Sequence, residues 1–128
     1  MSVWRHNAIE CAPELKNEFQ ATDLTPYTVF MELIPIVIQA HLDHDNNKLS
    51  KIYAFAEWCH GQRDQKLWNA ADVSFYEHLL DHEETSKQFT NWIKKDIYFD
   101  IRDLLMQNKA NEKQIGRLDE YYGFKNKY

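Results

Sequence analysis

The sequence predicts an all-α protein of six to seven short helices, arranged as a bundle or as a HEAT-like array of stacked helix pairs around a proline-kinked central helix. Hydrophobic residues make up 44% of the chain and recur at helical spacing, which indicates several amphipathic helices around one core. The 128 residues contain only three glycines and three prolines, too few for the frequent turns of an all-β fold. No linker-like segment interrupts the chain, so residues 1–128 are expected to form a single helical domain.

The central helix is predicted over residues 26–42, after a weaker first helix over residues 13–19. Thr25 can cap its amino end, and Pro26 suits the first helical position, where no amide donor is needed. Its circumference is apolar apart from a narrow polar strip of three residues: Thr28, Glu32 and Gln39. Such a helix is expected to be buried, and Pro35 inside it is expected to kink it.

The third and fourth helices are predicted over residues 47–60 and 64–80. Gly61 suits the carboxyl-terminal cap of the third helix, and Asp64 can cap the amino end of the fourth. Each helix has apolar residues at a spacing that places them on one face. On the third helix the predicted core face consists of Leu49, Ile52, Phe55, Ala56 and Cys59. On the fourth helix it consists of Trp68, Ala71, Phe75 and Leu79.

The remaining helices are predicted from two possible capping boxes and a strongly amphipathic segment between them. Asp81 with Glu84 opens the fifth helix, and Asn111 with Gln114 opens a short last helix. The sixth helix is predicted over residues 95–107. The apolar residues of these three helices are Phe89, Trp92 and Ile93, then Ile97, Ile101, Leu104 and Leu105, and finally Ile115 and Leu118. The tail, residues 121–128, is aromatic and basic.

The charge and cysteine content narrow the possible functions. A formal net charge of −5 disfavours binding to nucleic acid through phosphate contacts and favours a basic partner. The two cysteines, Cys11 and Cys59, match no disulfide framework or metal motif and are typical of a reduced, cytoplasmic protein. The most apolar run, residues 29–42, is too short and polar to span a bilayer, and the first residues lack a signal peptide, so no membrane contact is expected.

Potential ligand and nucleophile residues occur without a catalytic pattern. His41, Asp43, His44 and Asp45 form the densest group of possible metal ligands, but they fall where a helix is expected to end and are better interpreted as a solvated terminus. His78 and His82 are four residues apart without the glutamate of a metalloprotease motif. Adjacent Cys59 and His60 diverge by about 100° on a helix. There is no glycine-rich phosphate loop, no GxSxG and no CxxC, so we expect neither an enzyme nor a bound metal or cofactor.

The sixth helix has the most informative pattern for partner binding. Asp96, Asp100 and Asp103 fall at i, i+4 and i+7 and form one acidic stripe. Phe99 and Met106 lie beside it, off the predicted core face. Such a face can bind a basic protein surface, with apolar anchors for affinity and carboxylates for rate and specificity. The alternative is a solvated face with Phe99 and Met106 packed on a neighbouring helix.

Two further groups are candidates for the same role. Trp58 lies opposite the apolar stripe of the third helix and either packs on another helix or anchors a partner. Glu77, Asp81 and Glu84 form a second acidic region that competes with the sixth helix. Asp72 is an anomaly of a different kind: it falls between Trp68 and Phe75 on an apolar arc and needs a partner if it is buried.

Three segments resemble a known family. They are Thr25-Pro26-Tyr27-Thr28-Val29-Phe30, Leu33-Ile34-Pro35, and the run 72–79, which reads Asp-Val-Ser-Phe-Tyr-Glu-His-Leu. Over residues 14–110 the chain resembles small all-helical bacterial immunity proteins of contact-dependent growth inhibition and related polymorphic toxin systems. The motifs that carry this resemblance are structural, so no functional residues transfer with it.

The resemblance implies a cytoplasmic protein that binds the toxin domain delivered by a sibling cell and covers its active-site region. Toxins delivered to the cytoplasm are often nucleases, and their clefts are basic because they hold phosphate. The leading hypothesis is therefore an immunity protein against a basic toxin domain, with a ribonuclease favoured and a monomer expected. Two alternatives stay open: a helical adaptor or scaffold without a toxin partner, and a metal-dependent enzyme using the histidines above.

Overall fold

The computed structural model describes residues 2–125 and confirms the all-α fold class. Within these residues there are nine α-helices, joined in places by single 3₁₀ turns, and no strand. The helices are α1 (Val3–Cys11), α2 (Lys16–Phe19), α3 (Pro26–Leu42), α4 (Asn46–His60), α5 (Gln65–Ser74), α6 (Glu83–Lys87), α7 (Phe89–Trp92), α8 (Lys95–Met106) and α9 (Glu112–Tyr122). No helix in the part of the chain described is long and apolar enough to cross a membrane.

Helix α3 begins and ends where the sequence predicts. The Thr25 hydroxyl accepts a hydrogen bond of 3.2 Å from the Thr28 amide, which caps the amino end, and Pro26 occupies the first turn. The helix is continuous through Pro35, which is exposed. The expectation of burial on nearly all sides is wrong, because Met31 and Leu42 retain 65% and 56% exposure and widen the polar strip into a solvent face.

Helices α3, α4 and α5 pack together around an aromatic core. The Phe30 ring lies 5.3 Å from that of Phe55 and 5.5 Å from that of Phe75, between ring centroids, and Tyr53 lies 5.7 Å from Phe75. These distances are in the range where aromatic pairs attract each other beyond the area they bury. The predicted core faces of the third and fourth helices are confirmed, except that Trp68 is only half-buried.

The amino-terminal helix and the second half of the predicted fourth helix differ from the sequence expectation. Helix α1 was not predicted, because Ala8 and Cys11 are its only fully buried residues and its apolar pattern is weak. The predicted helix over 64–80 ends at Ser74. Phe75 leaves helical geometry at φ −124° and ψ −72°, and a 3₁₀ turn follows that directs Tyr76 and Leu79 into the core.

Both predicted capping boxes are wrong, although helices begin near them. Asp81 does not cap α6; instead Thr85, fully buried, donates its hydroxyl proton to the Leu79 carbonyl at 2.6 Å. Asn111 makes no side-chain cap on α9, and its NH2 group donates to the Leu105 carbonyl at 3.0 Å. In both places a polar side chain satisfies a buried carbonyl, which is worth more than satisfying an exposed amide.

Helices α8 and α9 pack against each other and complete the fold. Tyr98 of α8 stacks on Tyr122 of α9 with ring centroids 4.7 Å apart. Arg102 donates two hydrogen bonds to Asp119, at 2.8 and 2.6 Å, and Tyr98 donates a third at 2.6 Å. The predicted core residues Ile97, Ile101, Leu105, Ile115 and Leu118 are buried, whereas Leu104 is half-buried. Residues 126–128 of the predicted tail lie outside the described residues.

Candidate functional site

Helix α8 divides lengthwise into a buried side and an exposed side. Its buried residues fall at helical spacing on one side of the helix: Ile97, Tyr98, Ile101 and Leu105. The exposed side carries the five residues that the sequence singles out, which we call the α8 face: Asp96, Phe99, Asp100, Asp103 and Met106. Because side chains three, four and seven positions apart share a helix surface, these five residues form one continuous area.

Phe99 and Met106 are exposed in part, at 37% and 42%. One side of Phe99 packs against the segment that follows α9, which is close to the packing that the alternative interpretation expects. It contacts Phe124, just after α9, with ring centroids 5.6 Å apart, and the Lys95 ammonium lies 5.5 Å from its ring centre. Phe124 is itself covered by the Arg102 guanidinium at 4.0 Å. The apolar part of the α8 face therefore has a structured border and remains accessible.

Asp100 is the one carboxylate of the α8 face with a salt bridge among the described residues. The Nε2 atom of His60, at the end of α4, lies 3.0 Å from its Oδ2 atom. The Nδ1 atom of the same ring lies 2.7 Å from Oδ1 of Asp72 on α5. Hydrogen bonding to Asp72, and then to Asp100, outweighs the opposing effect of burial and raises the pKa of His60 to about 9.

The salt bridge to His60 supplies the partner that Asp72 requires if it is buried. The carboxylate is 16% exposed and has a partner, His60, from a different helix. The sequence pattern places His60 only beside Cys59 and gives no sign that it bridges two aspartates. The apolar arc around Asp72 was the available signal, because it required a cationic partner without identifying one.

Trp58 is half-buried, its stacked ring partner lies on its own helix α4, and it also lines a groove. Its ring stacks on Phe55 with centroids 6.5 Å apart, and it is half-buried against the core. Together with Cys11 of α1 and Lys51 of α4 it lines an open groove of about 580 Å³ between the two helices. This groove lies on α1 and α4, away from the residues of α8.

The carboxylates of the second acidic region, unlike those of the α8 face, do not lie on one helix. Glu77, in the 3₁₀ turn, and Glu84, in α6, are half-buried. Asp81 is exposed and lies 3.2 Å from Nδ1 of His78, in a salt bridge. The three carboxylates belong to three separate short segments, so the structure does not bring them onto one helix face.

The possible metal ligands do not converge. His41 is buried, so the expectation of a solvated terminus is wrong for this residue. Its Nε2 atom lies 2.8 Å from the Tyr53 hydroxyl, and burial lowers its pKa. His82 is the residue before α6, and His78 is paired with Asp81. Residues 2–125 contain no group of three or more His, Cys, Asp or Glu side chains that could hold a metal ion.

The two cysteines are buried and not joined in a disulfide. Burial raises the pKa of each thiol to about 12, which disfavours the thiolate form at both positions.

Comparison with known proteins gives one match. A family model described as "Domain of unknown function (DUF7674)" matches residues 6–110, which include the whole of α8 and end before α9. No curated protein and no solved structure matches the chain. The family description names no activity, and the resemblance to immunity proteins stays a prediction.

Proposed function

The chain belongs to the DUF7674 family, and we propose that it is an immunity protein that binds a basic antibacterial toxin domain through the α8 face and covers the region of its active site. The proposal includes no catalytic step. It places the protein in the cytoplasm, where it protects the cell that makes it from a toxin delivered by a sibling.

The single observation that carries this proposal is the composition of the α8 face. Three carboxylates and two apolar side chains share one exposed surface of a helix whose other side is anchored in the core. Exposed apolar side chains supply the desolvated contact that dominates binding energy. Carboxylates beside them select a positively charged partner and increase the association rate.

The charge of the chain supports a partner that itself binds phosphate. With a formal net charge of −5, the protein attracts a positively charged cleft over distances of about one Debye length. A nuclease cleft has this character because it holds a polyanion. A rigid acidic helix that occupies such a cleft excludes the nucleic acid, and among nucleases a ribonuclease is favoured.

The α8 face needs neighbouring surface to form a stable complex. A helix of twelve residues is about 18 Å long, and one exposed side of it offers less than the roughly 800 Å² that each partner contributes to a standard interface. Glu57 of α4 forms a salt bridge with Lys94, just before α8, and this pair adds polar surface beside the α8 face. The contact is therefore expected to extend from α8 toward the end of α4.

A protection assay tests the proposal. A toxin-domain gene sought in the neighbourhood of this protein's gene is expressed in cells together with the wild-type protein or with a variant. We expect the wild type to restore growth and the double variant Asp96→Asn/Asp103→Asn to restore it less, because neither aspartate has a salt bridge in the described residues and their loss removes only charge from the α8 face.

The matched control removes the same charge elsewhere. Glu18 and Glu32 are exposed on α2 and α3, so Glu18→Gln/Glu32→Gln should protect as well as the wild type. Failure of the wild type to protect would sink the immunity proposal. Equal protection by both double variants would show that α8 is not the contact surface.

A further inference from the structure

His60 lies at the junction of α4, α5 and α8, and it has a geometry that bears on partner recognition. Its two ring nitrogens lie 2.7 Å from Asp72 and 3.0 Å from Asp100, and its side chain is only 14% exposed. We propose that His60 is a positioning residue that fixes the carboxylate of Asp100 to receive an arginine side chain of the partner. This inference rests on the proposed function and names the chemistry by which the α8 face recognises its partner.

The distribution of charge in this group leaves Asp100 available. A carboxylate oxygen only accepts hydrogen bonds, so each ring nitrogen must donate one and the ring is an imidazolium. The three side chains together carry one positive and two negative charges. Asp72, at 16% exposure, offsets the imidazolium inside the protein, whereas Asp100, at 65%, presents the remaining negative charge to solvent.

The same geometry distinguishes Asp100 from the other two aspartates of the α8 face. Asp96 and Asp103 have no salt-bridge partner among residues 2–125, so nothing holds their carboxylates in one orientation. His60 bonds to Oδ2 of Asp100, which leaves Oδ1 and a second lone pair on Oδ2 without a hydrogen bond from the described residues, on a side chain that is 65% exposed.

A fixed carboxylate favours arginine over lysine. The planar guanidinium donates two parallel hydrogen bonds to a carboxylate in a defined orientation, whereas an ammonium binds as a point charge with no preferred plane. Holding the carboxylate in advance also removes part of the ordering cost of the pair. A preference for arginine should therefore depend on His60 although His60 itself would not contact the arginine.

Fluorescence anisotropy with labelled octa-arginine and octa-lysine peptides at low salt measures this preference. We expect the wild type to bind octa-arginine more tightly than octa-lysine. His60→Gln should weaken octa-arginine binding about twofold to fivefold. It should also reduce the preference for arginine over lysine to the level measured for Asp100→Asn. Asp96→Asn should weaken both peptides equally and keep the preference.

The sign of the His60→Gln effect separates positioning from charge. Removing the imidazolium makes the surface more negative, so charge alone predicts tighter binding of a cationic peptide. Unchanged or tighter binding of octa-arginine, or an unchanged preference for arginine, would overturn the inference. Tyr53→Phe is the control for general destabilisation, because it removes a buried hydrogen bond to His41 and should leave both affinities unchanged.

A second variant covers the case in which His60→Gln does not fold. Asp72→Asn keeps the bond between His60 and Asp100 but removes the charge that offsets the imidazolium. It should weaken both peptides and retain the preference for arginine, and tighter binding would contradict the charge distribution described here. If the wild type and the variant Asp96→Asn/Asp103→Asn bind both peptides equally, the proposed function fails as well. If the wild type prefers octa-arginine but His60→Gln changes neither the affinity nor the preference, only the positioning role of His60 is contradicted.

Discussion

The bond network between α8 and α9 allows a direct test of how burial determines the value of an ion pair. Arg102 and Asp119 lie 2.6 Å apart with side chains 15% and 19% exposed. Glu83 and Lys87 lie at the same distance, 2.6 Å, but their side chains are 72% and 70% exposed. The two pairs differ in burial and in the number of hydrogen bonds, so the same carboxylate-to-amide replacement can be compared in both.

We expect Asp119→Asn to destabilise the protein strongly. The carboxylate accepts two hydrogen bonds from Arg102 and one from Tyr98, at 2.6–2.8 Å. Burial raises its pKa, but these hydrogen bonds together outweigh burial and hold the pKa below the ordinary value for aspartate. Breaking a fully buried pair costs about 3–5 kcal/mol. Because this pair retains some exposure, the free energy of unfolding should fall by about 2 kcal/mol.

Urea unfolding followed by circular dichroism at 222 nm measures the difference. For a loss of about 2 kcal/mol the urea midpoint should fall by roughly 1 M with an unchanged slope. Glu83→Gln should leave the midpoint unchanged within error, because solvent screens the exposed pair and its ordering entropy offsets the attraction. Equal shifts for the two variants would refute the reasoning that burial and the number of hydrogen bonds, and not distance, set the contribution of these pairs.

Three further predictions follow from other contacts. His60→Gln should lower the free energy of unfolding by roughly 1–2 kcal/mol below pH 6.5, because the folded protein holds the His60 proton more tightly than the unfolded chain does. This loss should disappear as the pH rises through about 9, where His60 of the folded protein loses its proton. A loss that is independent of pH in urea titrations from pH 6 to 10 would contradict this. Cys11 and Cys59 should not react with a thiol-specific reagent at pH 8 until the protein unfolds, and rapid labelling of the native protein would show that they are accessible. Thr85→Val should lower the free energy of unfolding by about 1–2 kcal/mol, whereas Asp81→Ala should change it by less than about 0.5 kcal/mol. A larger loss for Asp81→Ala than for Thr85→Val would instead support the capping box.

The sequence predicts those parts of the fold that are set by local chemistry. The bounds of α3 follow from Thr25 and Pro26, which define its start, and the buried faces of α4 and α8 follow from apolar residues at helical spacing. These signals involve residues within a few positions of one another. They can therefore be recognised in a single sequence.

What the sequence does not predict depends on contacts between distant segments. Helix α1 is stabilised by packing on α4, and its own apolar pattern is weak. The helix breaks at Phe75, and the 3₁₀ turn that follows places Tyr76 in the core, where the sequence pattern gives no sign of it. Tertiary packing overrides local preference in both places.

The α8 face also has features that the sequence predicts and features that depend on distant contacts. Its five residues and their exposure could be predicted, because amphipathic spacing places them opposite the core. The bridge from His60 to Asp72 and Asp100 could not, since it joins three helices and spans 40 residues between His60 and Asp100. A buried carboxylate requires a partner, but the fold alone decides which residue it is.

The central claim is that the α8 face binds a basic protein. The most direct test begins with capture of the toxin domain from native cells by the tagged protein. The dissociation constant of the complex is then measured at several salt concentrations for three proteins: the wild type, Asp96→Asn/Asp103→Asn and Glu18→Gln/Glu32→Gln. We predict that the α8 double variant binds more weakly and with a shallower salt dependence, whereas the control pair matches the wild type. Equal affinity and equal salt dependence for all three proteins, or recovery of no basic partner, would contradict the claim.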